Sequence, residues 1–469
     1  MKIYESIIAG ISNFLYQPYI VPLLLLAAGF FFTFKTKFIQ IRLFKETLGV
    51  IMEKPKNEGN ISSFSALMVS TASRVGTGNI IGVSTALCSG GPGAIFWLWI
   101  TAIFGGASAF VESTLAQIYK KKDNDGTSYG GPSYYMQTAL NARFLGVIFS
   151  IIIILTYAVG YNMLASYNLQ SCFQDFSFYG KYTSKIFGTI LALLFLFIVL
   201  GGGKRLTRVT DIVVPIMGVL YIIVSIIVLI INSKNLGNMF SNIFESAFDF
   251  NAIFGGFLGS VVMWGIKRGL YSNEAGMGSA PNAAATADVS HPAKQGLVQM
   301  LSVFIDSLLI CTATAFMCLS SGVVPKIEDA GAPYVQASIR ESLGNFGPWF
   351  IAISLSLFAF TTLIGNYYYC EGCLRFILKK KPSHSFLVGF RLIAGVLVGI
   401  GAVLSAELVW NTADVLQGLM VVINIPVILI LSNRAFRCLK DYTDQRKAGK
   451  DPHYVAKACG IKEDVEYWG

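Results

Sequence analysis

The sequence predicts an all-α polytopic protein that crosses a lipid bilayer eleven times, with its N-terminus outside. Three observations support this fold class. Of the 469 residues, 54% are hydrophobic and only 13% are charged, whereas soluble domains carry about 25% charged residues. The apolar residues form runs near the roughly 20 residues that a membrane helix needs. The lysines and arginines concentrate in alternate connections between those runs, as the positive-inside rule requires.

The apolar runs are numbered here in chain order. A short amphipathic stretch at 4–15 precedes the first, and no removable signal peptide is expected because residues 1–17 are mixed in character. Residues 235–250 and 324–344 are predicted to be external connections. The runs called helix one to helix eleven are 19–34, 61–88, 94–119, 144–169, 186–200, 212–231, 253–287, 296–319, 349–369, 386–404 and 409–431.

The basic residues of the connections predict the orientation. With the N-terminus outside, the external connections carry only Lys181, Lys185, Lys234, Lys326 and Arg340. The cytoplasmic connections carry Lys35, Lys37, Arg42, Lys45, Lys54, Lys56, Lys120, Lys121, Lys122, Lys204, Arg205, Arg208, Lys294, Arg375, Lys379, Lys380 and Lys381. Membrane topology therefore explains the net charge of +10, and nucleic acid is not an expected partner.

Helix two is interrupted by polar residues at the depth of the bilayer centre. The run S-T-A-S-R-V-G-T-G-N-I-I-G-V at 70–83 places Arg74, Gly76, Thr77, Gly78 and Asn79 there. Glycine lets the backbone leave helical geometry. Non-helical backbone survives at this depth only where protein or a cavity satisfies it. The pattern predicts two half-helices joined by an open turn whose amides and carbonyls face inward, which is typical of a binding site.

A second interruption lies in helix seven. After an apolar start, this segment contains Gly265, Lys267, Arg268, Gly269, Asn273, Glu274, Gly276 and Gly278. Two interrupted helices in corresponding positions of two halves indicate the central site of a secondary transporter. Without helix one, ten helices remain in two units of five that begin on opposite sides of the membrane, a 5+5 inverted repeat. The predicted divisions are 1–60, 61–231, 232–252, 253–431 and a cytoplasmic tail at 432–469.

Several long motifs resemble a known family. They are R-V-G-T-G-N-I-I-G-V at 74–83, G-G-P-G-A-I-F-W-L-W at 90–99, A-S-A-F-V-E-S-T-L-A-Q-I-Y at 107–119, R-G-L-Y-S-N-E-A-G-M-G-S-A-P-N-A-A-A-T-A at 268–287, H-P-A-K-Q-G at 291–296 and F-A-F-T-T-L-I-G-N-Y-Y-Y at 358–369. These motifs are similar to those of the alanine or glycine:cation symporters, also called sodium:alanine symporters. The resemblance implies sodium-driven import of small neutral amino acids, a leucine-transporter-like fold, and a place in a bacterial inner or cell membrane.

The breaks suggest how an amino-acid zwitterion would bind. A carboxylate would meet free amides and the positive end of the half-helix that starts after the first break. An ammonium would meet carbonyls of the second break. The expected substrate-binding residues are Gly76, Thr77, Gly78 and Asn79 on one side and Tyr271, Ser272, Asn273, Gly276 and Met277 on the other.

By resemblance to related symporters, a sodium ion would lie beside the first break. The carbonyls of Ala72 and Val75 and the hydroxyls of Thr361 and Thr362 on helix nine would bind it. The alternative is that the paired threonines only bond back to the preceding turn of their own helix.

Ionisable residues inside a membrane segment are functional candidates. Arg74 could hold the substrate carboxylate, replace a second cation, or pair with an acid. The candidate acids are Glu112, Glu274 and Asp306; Glu274 is also a candidate gate or proton site because it lies in the second break. His291, at the cytoplasmic end of helix seven, is interpreted as a cap or loop contact.

The sequence departs from the family pattern near the expected pocket. Asn366 stands where many members have Trp, Ala165 and Tyr167 stand where helix four often has Gln and Asn, and Leu98 stands for Met. A larger neutral amino acid such as glutamine or serine therefore stays open as substrate. So does a proton-coupled carrier or exchanger on the same fold.

Two other classes of protein are disfavoured. A channel would need a continuous polar path, whereas the polar residues cluster at the two breaks. An enzyme would need a nucleophile and a base, and none of the three histidines lies deep in a helix. The Cys370/Cys373 pair lacks further metal-ligand partners in the sequence, so no metal or redox role is expected there.

Overall fold

The structure is a computed structural model that describes residues 2–16, 20–55, 57, 60–123, 126–249 and 261–468. Nearly all of this chain is helical, and the strands Lys121–Lys122 and Ser128–Tyr129 pair as a small antiparallel hairpin. The α-helices are Lys2–Tyr16, Ile20–Lys35, Ile39–Arg42, Phe44–Ile51, Ser63–Arg74, Ile81–Gly90, Ala94–Ile118, Pro132–Leu140, Arg143–Ile154, Tyr161–Ser171, Thr183–Val199, Gly203–Ile231, Leu236–Ala247, Val261–Asn273, Pro281–Ala284, Pro292–Val303, Thr312–Ser320, Ala332–Leu343, Phe346–Leu378, His384–Gly401 and Ala406–Lys447.

Eight stretches of the described chain are long and apolar enough to cross a membrane. They are Tyr4–Lys35, which includes residues 17–19 outside the described part, and Ala94–Ile118, Arg143–Ser171, Gly203–Ile231, Pro292–Ser320, Phe346–Leu378, His384–Gly401 and Ala406–Lys447. The apolar helix Thr183–Val199 is shorter, with 17 residues. The chain is therefore a mostly helical, multi-pass membrane protein.

Several helices extend beyond the predicted apolar runs. Helix six begins at Gly203 and takes in basic residues assigned to a connection, and helix eleven continues to Lys447. Lysine, arginine and glutamate are good helix formers, so these helices continue where the apolar run stops. The connection at 324–344 contains the helix Ala332–Leu343. The predicted start of helix seven, 253–260, lies outside the described residues.

Both predicted interruptions are confirmed. Helix two ends its first half at Arg74, passes through the 3-10 turn Thr77–Asn79 and resumes as Ile81–Gly90. Helix seven ends its first half at Asn273 and resumes only as the short helix Pro281–Ala284. In the second break Glu274, Gly276 and Gly278 have φ values of 55°, 82° and 80°. This left-handed region favours glycine.

Including Gly265 and Gly269 in the second interruption was wrong. Both lie inside the continuous helix Val261–Asn273. A Cβ at Gly265 would lie 2.4 Å from the carbonyl oxygen of Ala94. This glycine therefore serves close packing of helix seven on helix three, as small residues do in membrane bundles.

Two helices contain a π-helical turn that sequence reasoning missed. In helix four it is Leu155–Gly160 and in helix eight it is Phe304–Cys311. Such turns are rare and frequently mark functional sites. The turn in helix eight contains Asp306, which faces the broken helices.

Candidate functional site

The first break leaves a group of carbonyl oxygens without helical partners. In a continuous helix Ala72 would accept from the amide of Gly76, but that amide donates to Asn79 Oδ1 at 2.8 Å. Likewise Val75 would accept from the amide of Asn79, which donates to the Gly76 carbonyl at 3.2 Å. The break therefore frees the carbonyls of Ala72 and Val75, which the family resemblance assigns to a cation.

The same break also frees two amides. Within the described part of the chain, neither Thr77 nor Gly78 donates its N–H to a backbone or side-chain acceptor. Both residues are buried, and a Cβ on Gly78 would lie 2.8 Å from the Tyr271 ring. These amides lie next to the first half of helix seven, where a carboxylate could accept from them.

The second break frees carbonyls instead. The amides that would bond the carbonyls of Tyr271, Ser272 and Asn273 belong to residues 275–277. They donate instead to Asn273 Oδ1 at 3.0 Å, to Glu112 Oε1 at 3.3 Å and to the Glu274 carbonyl at 3.2 Å. The last turn of this half-helix therefore presents carbonyl oxygens that no helical amide occupies, at the residues where an ammonium group is predicted to bind.

Glu112 holds the second break in place. Its carboxylate accepts from the amides of Gly276 at 3.3 Å and Gly278 at 3.0 Å and from Asn424 Nδ2 at 2.9 Å. Asn424 Nδ2 also donates to the Gly276 carbonyl at 2.9 Å. The prediction that Glu112 pairs with a cation is wrong for the described structure, because backbone and amide N–H groups supply its donors.

Asp306 joins the two broken helices in the same way. It accepts from Asn79 Nδ2 at 2.7 Å, from the Ser272 hydroxyl at 2.9 Å and from the Ser307 hydroxyl at 2.8 Å. The side chain of Asn79 is thus fully used between its own turn and helix eight. Within the described chain, Asp306 accepts hydrogen bonds from neutral side chains and forms no direct ion pair.

Glu274 begins a polar chain that crosses three helices. The Ser73 hydroxyl lies 3.0 Å from Glu274 Oε1 and 2.8 Å from Asn366 Oδ1. Asn366 Nδ2 donates to Asn162 Oδ1 at 3.0 Å, and Ser279 donates to Glu274 Oε2 at 2.8 Å. A hydroxyl carries one proton. With the Asn366 amide in this orientation, Ser73 can donate to only one of its two acceptors at a time.

Arg74 is buried but makes no ion pair within the described chain. Its Nη1 donates to the carbonyl of Gln299 at 3.2 Å and to Gln299 Oε1 at 3.4 Å. Its Nε and Nη2 are buried without hydrogen-bond partners. The direct pairing of Arg74 with Glu112, Glu274 or Asp306 is therefore wrong here.

The two threonines of helix nine differ. The Thr361 hydroxyl donates back to the carbonyls of Leu357 at 3.0 Å and Phe358 at 3.1 Å, which is the alternative weighed from sequence. The buried Thr362 hydroxyl has no hydrogen-bond partner among the described residues and lies 2.1 Å from where a Cβ on Gly76 would be. Of these two threonines, Thr362 is therefore the one that presents an unpaired hydroxyl to the first break within the described structure.

Helix four approaches the breaks through a residue that sequence reasoning missed. Asn168 Nδ2 donates to Thr77 Oγ1 at 2.9 Å, and Asn168 Oδ1 is buried with no partner in the part of the chain that the structure describes. Ala165 is also buried, whereas Tyr167 is half-buried. Met277 packs near Tyr161, with its sulfur 3.8 Å from the hydroxyl. A helical period drawn from Ala165 would have pointed to 168 or 169 rather than 167.

Charged and aromatic side chains cover the first half of helix seven, before the second break. Asp414 on helix eleven lies 2.7 Å from Lys267 Nζ and 3.3 Å from Arg268 Nη1. The guanidinium of Arg268 stacks on Trp410, 4.2 Å from the ring centre. The two cations placed in the interruption by sequence thus tie helix seven to helix eleven.

A cavity of about 400 Å³ lies where the helix-two segment begins and the helix-seven segment ends. Its lining includes Ile61 from helix two, Asn282 and Thr286 from helix seven, and Tyr368 and Glu371 from helix nine. The Tyr368 hydroxyl donates to Thr286 Oγ1 at 2.9 Å and narrows it.

His291 caps the following helix, as predicted. The amide of Ala293 donates to His291 Nδ1 at 3.2 Å, so Nδ1 is unprotonated, and Nε2 lies 3.1 Å from Asp441 Oδ2. Burial lowers the pKa of His291 from 6.5 to about 4, although Asp441 opposes this shift. The ring is therefore neutral at physiological pH.

Comparison with known proteins identifies the family of the chain. Residues 1–456 match the sodium:alanine symporter family. The chain is similar to the probable sodium/glutamine symporter GlnT of Bacillus subtilis, with 43% identity over 98% of this chain and 95% of that protein. It is also similar to a putative sodium/proton-dependent alanine carrier protein, YrbD of the same species, with 41% identity over 95% of this chain and 94% of the relative.

A solved structure shows the fold. The crystal structure of MhsT in complex with L-phenylalanine superposes with a TM-score of 0.55 at 14% identity, over 88% of this chain and 97% of that chain. MhsT has the leucine-transporter fold. With its family and its fold established, the chain belongs to the sodium:alanine symporter family and is a membrane transporter rather than an enzyme.

Proposed function

We propose that the chain imports small neutral amino acids such as alanine and glycine with sodium ions, by alternating access. The observation that carries this proposal is the complementary pair of breaks, one with free amides and the other with free carbonyls. An amino-acid zwitterion needs both kinds of group at once. Free backbone at a helix break is how transporters of this kind bind such substrates.

The carboxylate would accept from the amides of Thr77 and Gly78, at the positive end of the second half of helix two. The ammonium would donate to the carbonyls of Tyr271, Ser272 and Asn273. Gly76, Gly276 and Met277 would shape the site. Gly76 leaves room for Thr362, Gly276 turns the chain at a positive φ, and Met277 is buried beside Tyr161. Asn79 would act through its contacts with Gly76 and Asp306.

Sodium would bind between the freed carbonyls of Ala72 and Val75 and the unpartnered hydroxyl of Thr362. Oxygen ligands of this kind suit a hard cation. Thr361 would contribute its remaining acceptor capacity, since its proton is already donated to its own helix. The ion would thus stabilise the same break that holds the carboxylate.

The predicted topology of eleven helices with the N-terminus outside belongs to the same proposal. The eight candidate spans, the two broken helices and the shorter Thr183–Val199 support this count of eleven. The units 61–231 and 253–431 would be the inverted repeats, joined by 232–252, with 1–60 and 432–469 as flanking parts. The cavity at Asn282 and Thr286 would be part of the cytoplasmic release path, in the cell membrane of a bacterium.

A larger neutral substrate is the second candidate. Ala165 and Asn366 have smaller side chains than glutamine and tryptophan, so they would leave a wider pocket than those residues at the same positions. The side-chain oxygen of Asn168, Oδ1, which has no partner in the described structure, would accept a hydrogen bond from a substrate carboxamide or hydroxyl. A relative named for glutamine supports this alternative.

A proton-coupled carrier or exchanger is the third. The single hydroxyl proton of Ser73 favours this candidate. If Glu274 were protonated, it could donate to the Ser73 oxygen while the Ser73 hydroxyl donates to Asn366, and both contacts would be hydrogen bonds. A relative named for sodium/proton dependence points the same way.

The deciding experiment is uptake of labelled alanine into proteoliposomes with sodium, potassium or proton gradients imposed in turn. Uptake only with inward sodium, blocked by glycine, is expected. Glutamine uptake in place of alanine would select the larger substrate. Sodium-independent uptake driven by protons, and lost in Glu274→Gln, would select the proton carrier.

The sodium site has a matched pair of variants. Thr362→Ala removes the free oxygen, and about a tenfold rise in the sodium concentration for half-maximal uptake is expected, the effect of about 1.4 kcal/mol. Thr361→Ala removes a hydroxyl already bonded to its own helix, and a smaller rise is expected. Equal responses from both variants would contradict the assignment of Thr362 as the principal hydroxyl ligand.

A further inference from the structure

The C-terminal segment does not trail away from the transporter. After helix eleven ends at Lys447, residues 448–468 return across the ends of helices three, seven and eight. Although this segment is polar in sequence, it buries five apolar side chains: Tyr454, Ala456, Cys459, Ile461 and Val465. The segment is therefore docked on the protein, because removing these apolar side chains from water stabilises the docked position.

The last two described residues close over Lys120 at the end of helix three. Trp468 Nε1 donates to the carbonyl of Gln117 at 2.7 Å. The buried Lys120 Nζ lies 3.8 Å from the centre of the Tyr467 ring and 5.1 Å from that of Trp468, within the range of cation–π attraction. Lys120 Nζ also donates to the carbonyl of Ala287 at 2.9 Å, which connects the tail to helix seven.

The tail also reaches the point where the two broken helices meet. The amide of Asp288 donates to the Ile61 carbonyl at 2.9 Å. The Asp288 carboxylate accepts from the Asn57 amide at 2.9 Å and from Asn60 Nδ2 at 2.9 Å. The Tyr467 hydroxyl donates to the other oxygen of this carboxylate at 3.0 Å. One carboxylate thus joins the start of helix two, the end of helix seven and the tail.

Further contacts fasten the middle of the tail to helix eight. The amide of Tyr454 donates to the Ser290 carbonyl at 3.1 Å, and its ring packs against His291 and Trp468. Asp451 lies 3.2 Å from Lys294 Nζ. Since the tail is the continuation of helix eleven, these contacts bind helix eleven to the ends of helices three, seven and eight.

We propose that residues 448–468 form a latch, held by Tyr467 and Trp468, that keeps the broken helices closed at this end until it is released. Alternating access moves one bundle of helices against the other. Opening at this end would move Asp288 and the end of helix seven away from helices two and three. The contacts of Tyr467 with Asp288 and Lys120 oppose that movement, because they hold the end of helix seven against helix three. The latch rests on the proposed transport cycle, but docking of the tail can be measured without transport.

The first test is the reactivity of native Cys459 with N-ethylmaleimide in the purified full-length protein, followed by mass spectrometry of the labelled peptide. Cys459 is buried in the docked tail. Trp468→Ala and Tyr467→Ala are each expected to label Cys459 about tenfold faster, the effect of losing one anchoring contact. Lys457→Ala, which removes an exposed side chain of the same tail, is the matched control and should label like the wild type.

The second test asks whether release opens the transporter. Thr286→Cys places a thiol in the cavity between helices seven and nine. Its labelling is expected to rise about fivefold when Trp468→Ala is added, as for a shift of roughly 1 kcal/mol. Buried Cys311 at the breaks should stay unlabelled in every variant and reports an intact fold.

Two results would overturn the proposal. Unchanged Cys459 labelling in both tail variants would show that Tyr467 and Trp468 do not anchor the tail. Faster Cys459 labelling with unchanged labelling at Thr286→Cys would show a docked tail that restrains nothing. If Trp468→Ala also exposes Cys311, Tyr467→Phe, which removes only the bond to Asp288, decides the same two points. Loss of sodium-dependent uptake with both labelling results intact would instead contradict the proposed transport.

Discussion

Gly76 leaves the space in which Thr362 meets the first break. A Cβ there would lie 2.1 Å from Thr362 Oγ1, a distance that forces the proposed sodium ligand or the break to move. We expect Gly76→Ala to reduce sodium-driven uptake at least about a hundredfold, since a displacement near 1 Å at a site has effects of this size. The protein should still be made and purified.

Gly82 is the matched control for this substitution. It lies in the second half of the same helix, and an added Cβ would meet only ordinary contacts, the nearest at 3.8 Å. Gly82→Ala should therefore keep most of the uptake. Wild-type uptake by Gly76→Ala would contradict the close approach of Thr362 to the break.

His291 makes stability depend on pH at the start of helix eight. Its pKa is about 4 in the folded protein and 6.5 in its ordinary state, so the unfolded chain binds more protons between these values. The stabilisation is fully present above pH 6.5 and is lost as the pH falls towards 4. At pH 5 the loss is about 2 kcal/mol, and it should appear as a falling unfolding temperature.

His291→Asn separates this effect from others. Asparagine is a good N-cap and does not titrate, so the variant should lose less stability between pH 7 and pH 5 than the wild type. Identical pH profiles would show that the ring does not protonate in that window or does not cap the helix.

At the scale of elements, a helix break in a membrane has to be held by groups from its neighbours. The second break is held by Glu112 of helix three and Asn424 of helix eleven. Glycines at positive φ let the chain turn there. The amides that the turn leaves without helical partners still need an acceptor, because lipid supplies none. A carboxylate with two acceptor oxygens meets several amides at once.

Replacing that carboxylate tests its role. Glu112→Gln presents an NH₂ group to one of the amides, and we expect a loss of about 2–3 kcal/mol in stability, as for hydrogen bonds to a charged group. Substrate binding should weaken with it, because the same segment carries the proposed ammonium site. Thermal unfolding and binding of labelled alanine measure the two effects.

The exposed Glu341 provides the comparison, since Glu341→Gln removes a carboxylate far from any break. Only a small change in unfolding temperature is expected for it. A Glu112→Gln protein as stable as this control would mean that the break is held by other contacts.

At the scale of the whole molecule, helix eleven is tied to helix seven at three levels. Asp414 binds Lys267 and Arg268 near one end, Asn424 binds the break, and the tail that follows Lys447 binds Asp288 through Tyr467. A transporter that works by alternating access has to open at one side of the membrane while it stays closed at the other. Helix eleven and its tail contact helix seven on both sides of the second break and at the break itself, so they connect the two sides through the proposed site.

Asp414→Asn tests the first of these ties. It would leave two buried cations without their carboxylate, and breaking a buried pair costs about 3–5 kcal/mol. We expect a much lower unfolding temperature. We also expect faster maleimide labelling of a cysteine introduced by Tyr271→Cys, because Arg268 and Trp410 would pack less tightly over position 271. Asp444→Asn, on the exposed end of the same helix, should change neither, and a normal unfolding temperature in Asp414→Asn would contradict the tie.

The local features of the fold could be predicted from the sequence. Arg74, Gly76, Thr77, Gly78 and Asn79 mark a break in an apolar run because polar residues and glycine are costly in lipid unless the backbone turns inward. Gly265 was misjudged by the same reasoning. A glycine that opens a break and one that admits a neighbouring helix look alike until the neighbour is known.

The partners of the buried polar groups could not be predicted. Arg74, Glu112 and Asp306 suggested ion pairs, yet Gln299, backbone amides and neutral side chains are their partners. Asn168 was passed over for Tyr167, because a one-residue difference in helix register decides which side chain reaches Thr77.

By itself, the sequence determined that this chain is a multi-pass membrane protein with two broken helices and the motifs of its family. Hydrophobic length and local polarity are properties of consecutive residues, so they can be read along the chain. Only the tertiary structure decided that Thr362 and not Thr361 has a free hydroxyl, that Glu112 holds the second break, and that the tail docks on Lys120 and Asp288. Each of these contacts joins residues far apart in sequence, and which ones meet depends on how the helices pack.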